Sequence, residues 1–132
     1  MTDLLTITFL AMVLDVALGF AGAVKTGTVK SGKMREGLWH KAGFVGLIAV
    51  SFVLEYFIAH IDVSAVAVPY IVDVCAALAA IPLVLAACVW VILTEAVSVI
   101  ENLCVLNPEI AKSPIGRIFA ALEDEKESEG KV

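Results

Sequence analysis

The chain has 132 residues, 61% of them hydrophobic, with a formal net charge of −5 and a mean hydropathy of +0.97, a profile that excludes an ordinary soluble domain. All nine Lys and Arg fall in residues 25–41 and 112–131; no basic stripe supports a nucleic-acid role. Cys75, Cys88 and Cys104 are spaced 13 and 16 apart, which fits neither a zinc site nor a disulfide framework and reads as small apolar packing.

Leu4 to Val24 is an apolar run of 21 residues, about 30 Å long as a helix and therefore a bilayer span. Ala21-Gly22-Ala23 resembles a cleavage site, but the run lacks a basic n-region and is interrupted by Asp15, so it is read as a mature helix. Residues 25–41, "KTGTVKSGKMREGLWHK", carry Lys25, Lys30, Lys33, Arg35 and Lys41 against Glu36 alone, with Gly27, Gly32 and Gly37 as helix breakers. That pattern predicts a short basic loop. The positive-inside rule assigns it to the cytoplasm and the N-terminus to the outside. Trp39 and His40 sit where an interfacial anchor belongs, and Ala42 to Ile61 forms the second span.

Val63 to Ile100 is 38 residues, about 57 Å as one helix and barely enough for two. Two spans would carry Lys112 and Arg117 outside. One span, about 82–103, keeps them with the basic loop, so three spans are favoured over four, with residues 63–81 an Ala-rich segment at the outer interface or tucked against the bundle. The domain division is thus a transmembrane part, 1–105, and a cytoplasmic part, 106–132. In the latter, Asn107-Pro108 and Ser113-Pro114 look like helix starts. Ile115, Ile118, Phe119 and Leu122 share one face ahead of the acidic tail 123–129.

No catalytic, metal or cofactor constellation is present in the sequence: His40 and His60 fall at opposite membrane faces, and no nucleophile elbow, phosphate loop or HExxH motif occurs. The expectation is a non-enzyme with no cofactor. What stands out is acid within apolar segments: Asp15, Glu55 and Glu95, with Glu101 near the exit of the last span. Each central carboxylate costs about 2.5–3.5 kcal/mol to insert on translocon scales. With no Lys or Arg expected inside the spans, these acids have to be protonated, hydrogen-bonded or turned toward water. Ala11, Asp15, Gly19, Ala23 and Gly27 form a small-residue stripe suited to helix packing. Ser51 and Glu55 share a face, as do Glu95, Ser98 and Asn102. Two readings stay open on these grounds. Either the inward polar groups satisfy one another, or they line water in an assembly of many copies, because three short helices cannot enclose a wide pore alone.

The residues resemble the phage holin family, in particular its toxin-secretion and phage-lysis group. The resemblance runs over roughly residues 10–122. It is carried by Asp15 and Gly19; by Gly27, Ser31, Arg35, Gly37 and Lys41; by Asp62; and most strongly by Glu95, Ser98, Glu101, Asn102 and Pro108 in "TEAVSVIENLCVLNPEI". Leu106-Asn107-Pro108 stands where that family has Gly-x-Pro. The resemblance implies an all-α, oligomeric protein of the bacterial cytoplasmic membrane. Such a protein opens lesions through which an endolysin or toxin leaves the cell, with no direct contact to the endolysin required. Its implied partners are the lipid bilayer and further copies of itself. Asp15, Glu55, Glu95, Ser98, Glu101 and Asn102 are then the candidate pore-lining or polar-face residues, and loss of membrane potential is expected to favour opening. A small proton-coupled channel or transporter using Glu55 or Glu95, and a non-lytic antiholin or scaffold, are the alternatives.

Overall fold

A computed structural model describes residues 1–65 and 68–118. Five α-helices follow one another: α1 (Thr2–Lys25), α2 (Ser31–His60), α3 (Pro69–Ala79), α4 (Leu83–Leu106) and α5 (Pro108–Ala111), with a 3-10 turn at Val63–Ala65. Residues 114–118 are again helical, and no strand occurs among the described residues. The chain is all-α. Helices α1, α2 and α4 are each long and apolar enough to cross a bilayer. The 11 residues of α3 span only about 16 Å, half of a hydrocarbon core.

α4 is the central element. It packs along α1 and, more narrowly, along α2, whereas α1 and α2 scarcely touch each other directly. On α1 the inward row is Leu5, Thr8, Met12, Asp15, Gly19 and Gly22; on α4 it is Val84, Cys88, Val91, Glu95, Ser98, Asn102 and Val105. Both rows alternate steps of three and four. That 3.5-residue rhythm keeps one face of each helix turned to the other over its whole length.

Gly19 lies beside Asn102, and Gly22 beside Val105, while Lys25 reaches the carbonyls of Val105 and Leu106. α1 and α4 therefore run parallel and end at the same level. Only an odd number of crossings allows this, which decides for three spans. The apolar core, Met12, Phe44, Ile48, Val84, Ala87, Cys88 and Val91, sits where the three long helices meet. Most other large apolar side chains point outward, as expected of a lipid-facing surface.

Two expectations are corrected. Residues 25–41 are not a loop: α1 continues through Lys25 and α2 begins at Ser31, so the connection is only 26–30. Gly32 and Gly37 do not break α2; glycine inside a helix costs about 1 kcal/mol, and the first ten residues of α2 are exposed, with no packing that their lack of a side chain would weaken. The helix that carries the second span thus starts eleven residues before Ala42. Met34, Leu38, Lys41, Phe44, Ile48, Ser51 and Glu55 fall in one row along it, exposed at Met34 and Leu38 and turned inward from Lys41 onward. The other correction concerns Gly27, which lies beyond α1 in a left-handed turn (φ +66°) with nothing near its Cβ position. It makes the turn, and Gly22 takes the packing role instead.

Past α4, Asn107 Oδ1 accepts from the Glu109 N–H at 3.1 Å and Ser113 Oγ from the Gly116 N–H at 3.2 Å, the two caps expected from the sequence. A Cβ at position 116 would run into the backbone of Ile110 and Ala111, so the turn after α5 requires glycine. Of the expected amphipathic face, Ile115 and Ile118 are exposed. Phe119, Leu122 and the acidic tail lie outside the described residues.

The close approach of α1 to α4 should respond sharply to side-chain size. Gly22→Leu, whose new side chain meets Val105, is expected to destabilise the bundle by about 1–3 kcal/mol, read as loss of helicity in a denaturing-detergent titration. Gly43→Leu, facing open space, should leave that titration nearly unchanged.

Candidate functional site

Midway along α1 and α4 the seam changes from apolar to ionic. Glu95, twelve residues into α4, is 1% exposed and is among the most deeply buried side chains described. An unpaired carboxylate there would carry a heavy desolvation cost. Its partner comes from α2: Lys41 Nζ lies 2.6 and 2.5 Å from the two Glu95 carboxylate oxygens. The same ammonium lies 2.9 Å from Asp15 Oδ2 on α1. Asp15 Oδ1 in turn accepts from the Asn102 amide at 2.8 Å. One cation thus joins all three spanning helices. With side chains 12, 16 and 2% exposed for Lys41, Asp15 and Glu95, the cluster is largely withdrawn from solvent. No buried side-chain polar atom among the described residues lacks a partner.

This arrangement corrects the expectation that no basic residue enters the spans. Lys41, assigned from sequence to a cytoplasmic loop, is the tenth residue past Ser31 in α2 and descends about 15 Å along the helix. It was missed because glycines flanking a basic run read as a loop. The signal that would have found it is the three-and-four spacing from Lys41 through Phe44, Ile48, Ser51 and Glu55.

The remaining candidate residues separate by role. Glu55 is not in the cluster: its Oε1 accepts from the Val84 N–H at 2.9 Å. It closes the N-terminus of α4, where Pro82 offers no side-chain cap and negative charge complements the helix dipole. Lys25 serves the opposite end, donating to Val105 O at 2.9 Å and Leu106 O at 2.8 Å. Both ends of α4 are therefore capped by charged side chains from its two neighbours. Ser98 is half-buried one turn from Glu95, and Glu101 is exposed. Ala11 and Ala23 are half-buried on α1, with Gly19 against Asn102. Thr8 is fully buried, its hydroxyl donating to Leu4 O within α1, as Ser51 does to Leu47 O within α2.

Because α1 and α2 diverge above the cluster, a groove of about 480 Å³ opens between them. Val16, Phe20, Met34 and Leu38 form its walls, Asn102 and Val105 its floor, and Asp15 and Lys41 its inner end; Lys30 and Lys33 stand at its mouth. No group of His, Cys, Asp and Glu side chains with metal-binding geometry occurs among the described residues.

Three apolar crossings joined by a sequestered ionic cluster define a small multi-pass helical membrane protein. The model of the bacteriophage holin family matches residues 1–123. The chain belongs to that family, whose members are non-enzymatic membrane proteins. Among curated proteins and among solved structures, nothing matches.

If Lys41 neutralises the cluster, removing it alone should be far worse than removing it with its partner. Lys41→Met is expected to cost about 3–5 kcal/mol, and Lys41→Met with Glu95→Met to recover part of that loss, Asp15 keeping only Asn102. Unfolding of the purified variants in mixed micelles gives both values, and strictly additive losses would contradict the pairing.

Proposed function

We propose that the protein is a holin: it accumulates and oligomerises in the bacterial cytoplasmic membrane, then forms lesions that release an endolysin or toxin. The observation that carries this reading is the Asp15–Lys41–Glu95–Asn102 network. In the single protomer these polar groups are turned against one another, and the outer surface is apolar. A protomer of this kind inserts and accumulates without conducting. Lesion formation then requires the helices to separate, so that Asp15, Glu95, Ser98 and Asn102 exchange partners within the protomer for water or for neighbouring copies. A cluster whose polar groups are all partnered makes that exchange costly, and this cost is a physical basis for delay followed by abrupt opening.

Orientation follows from charge. Lys25, Lys30, Lys33 and Arg35 lie at the end where α1 and α4 finish, and Lys112 and Arg117 follow α4 in the chain; His60, Asp62 and Asp73 lie in or beside the segment joining α2 to α4, which has no Lys or Arg. The positive-inside rule supports a cytoplasmic C-terminus and an external N-terminus. In the closed cluster two carboxylates face one ammonium. A charge moved through the membrane field changes energy by about 2.3 kcal/mol per 100 mV, so the membrane potential acts on the separation.

Expression of the chain in a bacterium together with an endolysin should produce a lag and then sudden lysis, with dissipation of the membrane potential advancing the onset. Asp15→Asn, which keeps an acceptor for Asn102 but removes a charge held by Lys41, should shift the lysis time. Continued growth with an intact membrane at high expression would overturn the holin reading. Unchanged timing in Asp15→Asn and in Glu95→Gln would remove the cluster from the mechanism.

A further inference from the structure

The groove between α1 and α2 has a polarity that neither the closed cluster nor lesion formation explains. Its walls, Val16, Phe20, Met34 and Leu38, are apolar, yet its mouth carries Lys30 and Lys33. Neither ammonium group has a hydrogen-bond or ion-pair partner among the described residues. Along α2, Lys33 and Lys41 are eight residues apart, about 12 Å. The groove therefore runs from the level of unpaired cations down beside apolar walls to the inner cluster. Asp15, the carboxylate in its wall, is already held by Lys41 and Asn102. Thr26 and Thr28 hydroxyls, 2.7 Å apart, lie at the same mouth. The volume of about 480 Å³ falls within the range of about 300–1,000 Å³ typical of small-molecule sites.

We infer that this groove is a binding site for an anionic phospholipid. The phosphodiester headgroup sits between Lys30 and Lys33, and one acyl chain lies along Phe20 and Leu38. The argument is charge complementarity at the depth where a bilayer presents its headgroups. Paired cations beside an apolar slot between spanning helices suit a lipid, which brings negative charge and hydrocarbon in one molecule. A free inorganic anion would leave the apolar walls unfilled. An acyl chain in the groove also shields the Lys41–Asp15 contact from water, so bound lipid favours the closed protomer.

Trp39 follows Leu38 in α2 and is exposed, which makes it the reporter. The full chain carrying Trp90→Phe, so that Trp39 is the single tryptophan, is placed in phosphatidylcholine vesicles. These contain a small fraction of brominated phosphatidylglycerol or of brominated phosphatidylcholine. Quenching of Trp39 should show about thirtyfold enrichment of the anionic lipid over the neutral one, the scale of two lysine–headgroup attractions. Lys30→Gln with Lys33→Gln should abolish that preference. Gly37→Leu, which retains every charge and projects into the groove, should abolish it as well, with circular dichroism confirming that each variant stays helical. Equal quenching by the two lipids would overturn the inference. So would a preference that survives Gly37→Leu, which marks diffuse surface attraction, or one displaced by inorganic phosphate, which marks a small-anion site. Quenching that depends on the protein-to-lipid ratio rather than on lipid type would assign the groove to a second copy and overturn it equally.

Discussion

A single ammonium held between two carboxylates inside an apolar bundle is the constraint on which the rest of the molecule depends. Glu95 is buried away from water and Asp15 largely so, and Lys41 brings charge to both at once. To deliver it, α2 has to remain helical through Gly32 and Gly37 and present Lys41 on its inner face. α1 in turn has to approach α4 closely enough for Asn102 to reach Asp15. The glycines at 19 and 22 permit that approach: Cβ atoms added there would already be in van der Waals contact with Asn102 and Val105. Small residues and charged residues in the seam are thus parts of one solution, the first setting the distance at which the second can pair.

The same economy governs the ends of α4. A helix terminus in or near a membrane cannot leave its backbone groups to water, and here Glu55 from α2 takes an N-terminal amide while Lys25 from α1 takes the last carbonyls. Each charge has the sign that the helix dipole favours at its end. α4 is consequently fixed at three heights, at both ends and at the middle, by ionisable side chains from its neighbours. Its register against α1 and α2 cannot slide by a turn without losing all three. This gives a membrane bundle without strong hydrophobic drive between its helices a specific closed arrangement.

The legible and illegible parts of the sequence divide along physical lines. The spans of α1 and α4 and the proline-led helix starts after them rest on local signals, and the helices appear near their expected places. The acids at 15, 55 and 95 stood out because each violates the hydrocarbon rule on its own. What they do there was not legible. Asp15 and Asn102 are 87 residues apart in sequence and Lys41 and Glu95 are 54 apart, distances over which no periodicity speaks. Glu55 showed the same violation as Glu95, yet it caps a helix start where Glu95 joins an ion cluster. Lys41 was misplaced because a basic, glycine-containing stretch satisfies the composition of a loop while retaining the spacing of a helix face.

By itself, then, the sequence determined the environment and narrowed the crossings to three or four, since apolar length and the exclusion of basic residues from long runs are properties of the chain alone. It also determined that some carboxylates had to be reconciled with that environment. The tertiary structure decided how. It set α1 parallel to α4, which leaves room for only three crossings, carried Lys41 from an apparent loop into the core, and divided acids of identical chemistry into cluster and cap. Pairing within a bundle depends on which faces meet at which height, and that is a property of packed helices rather than of any one segment.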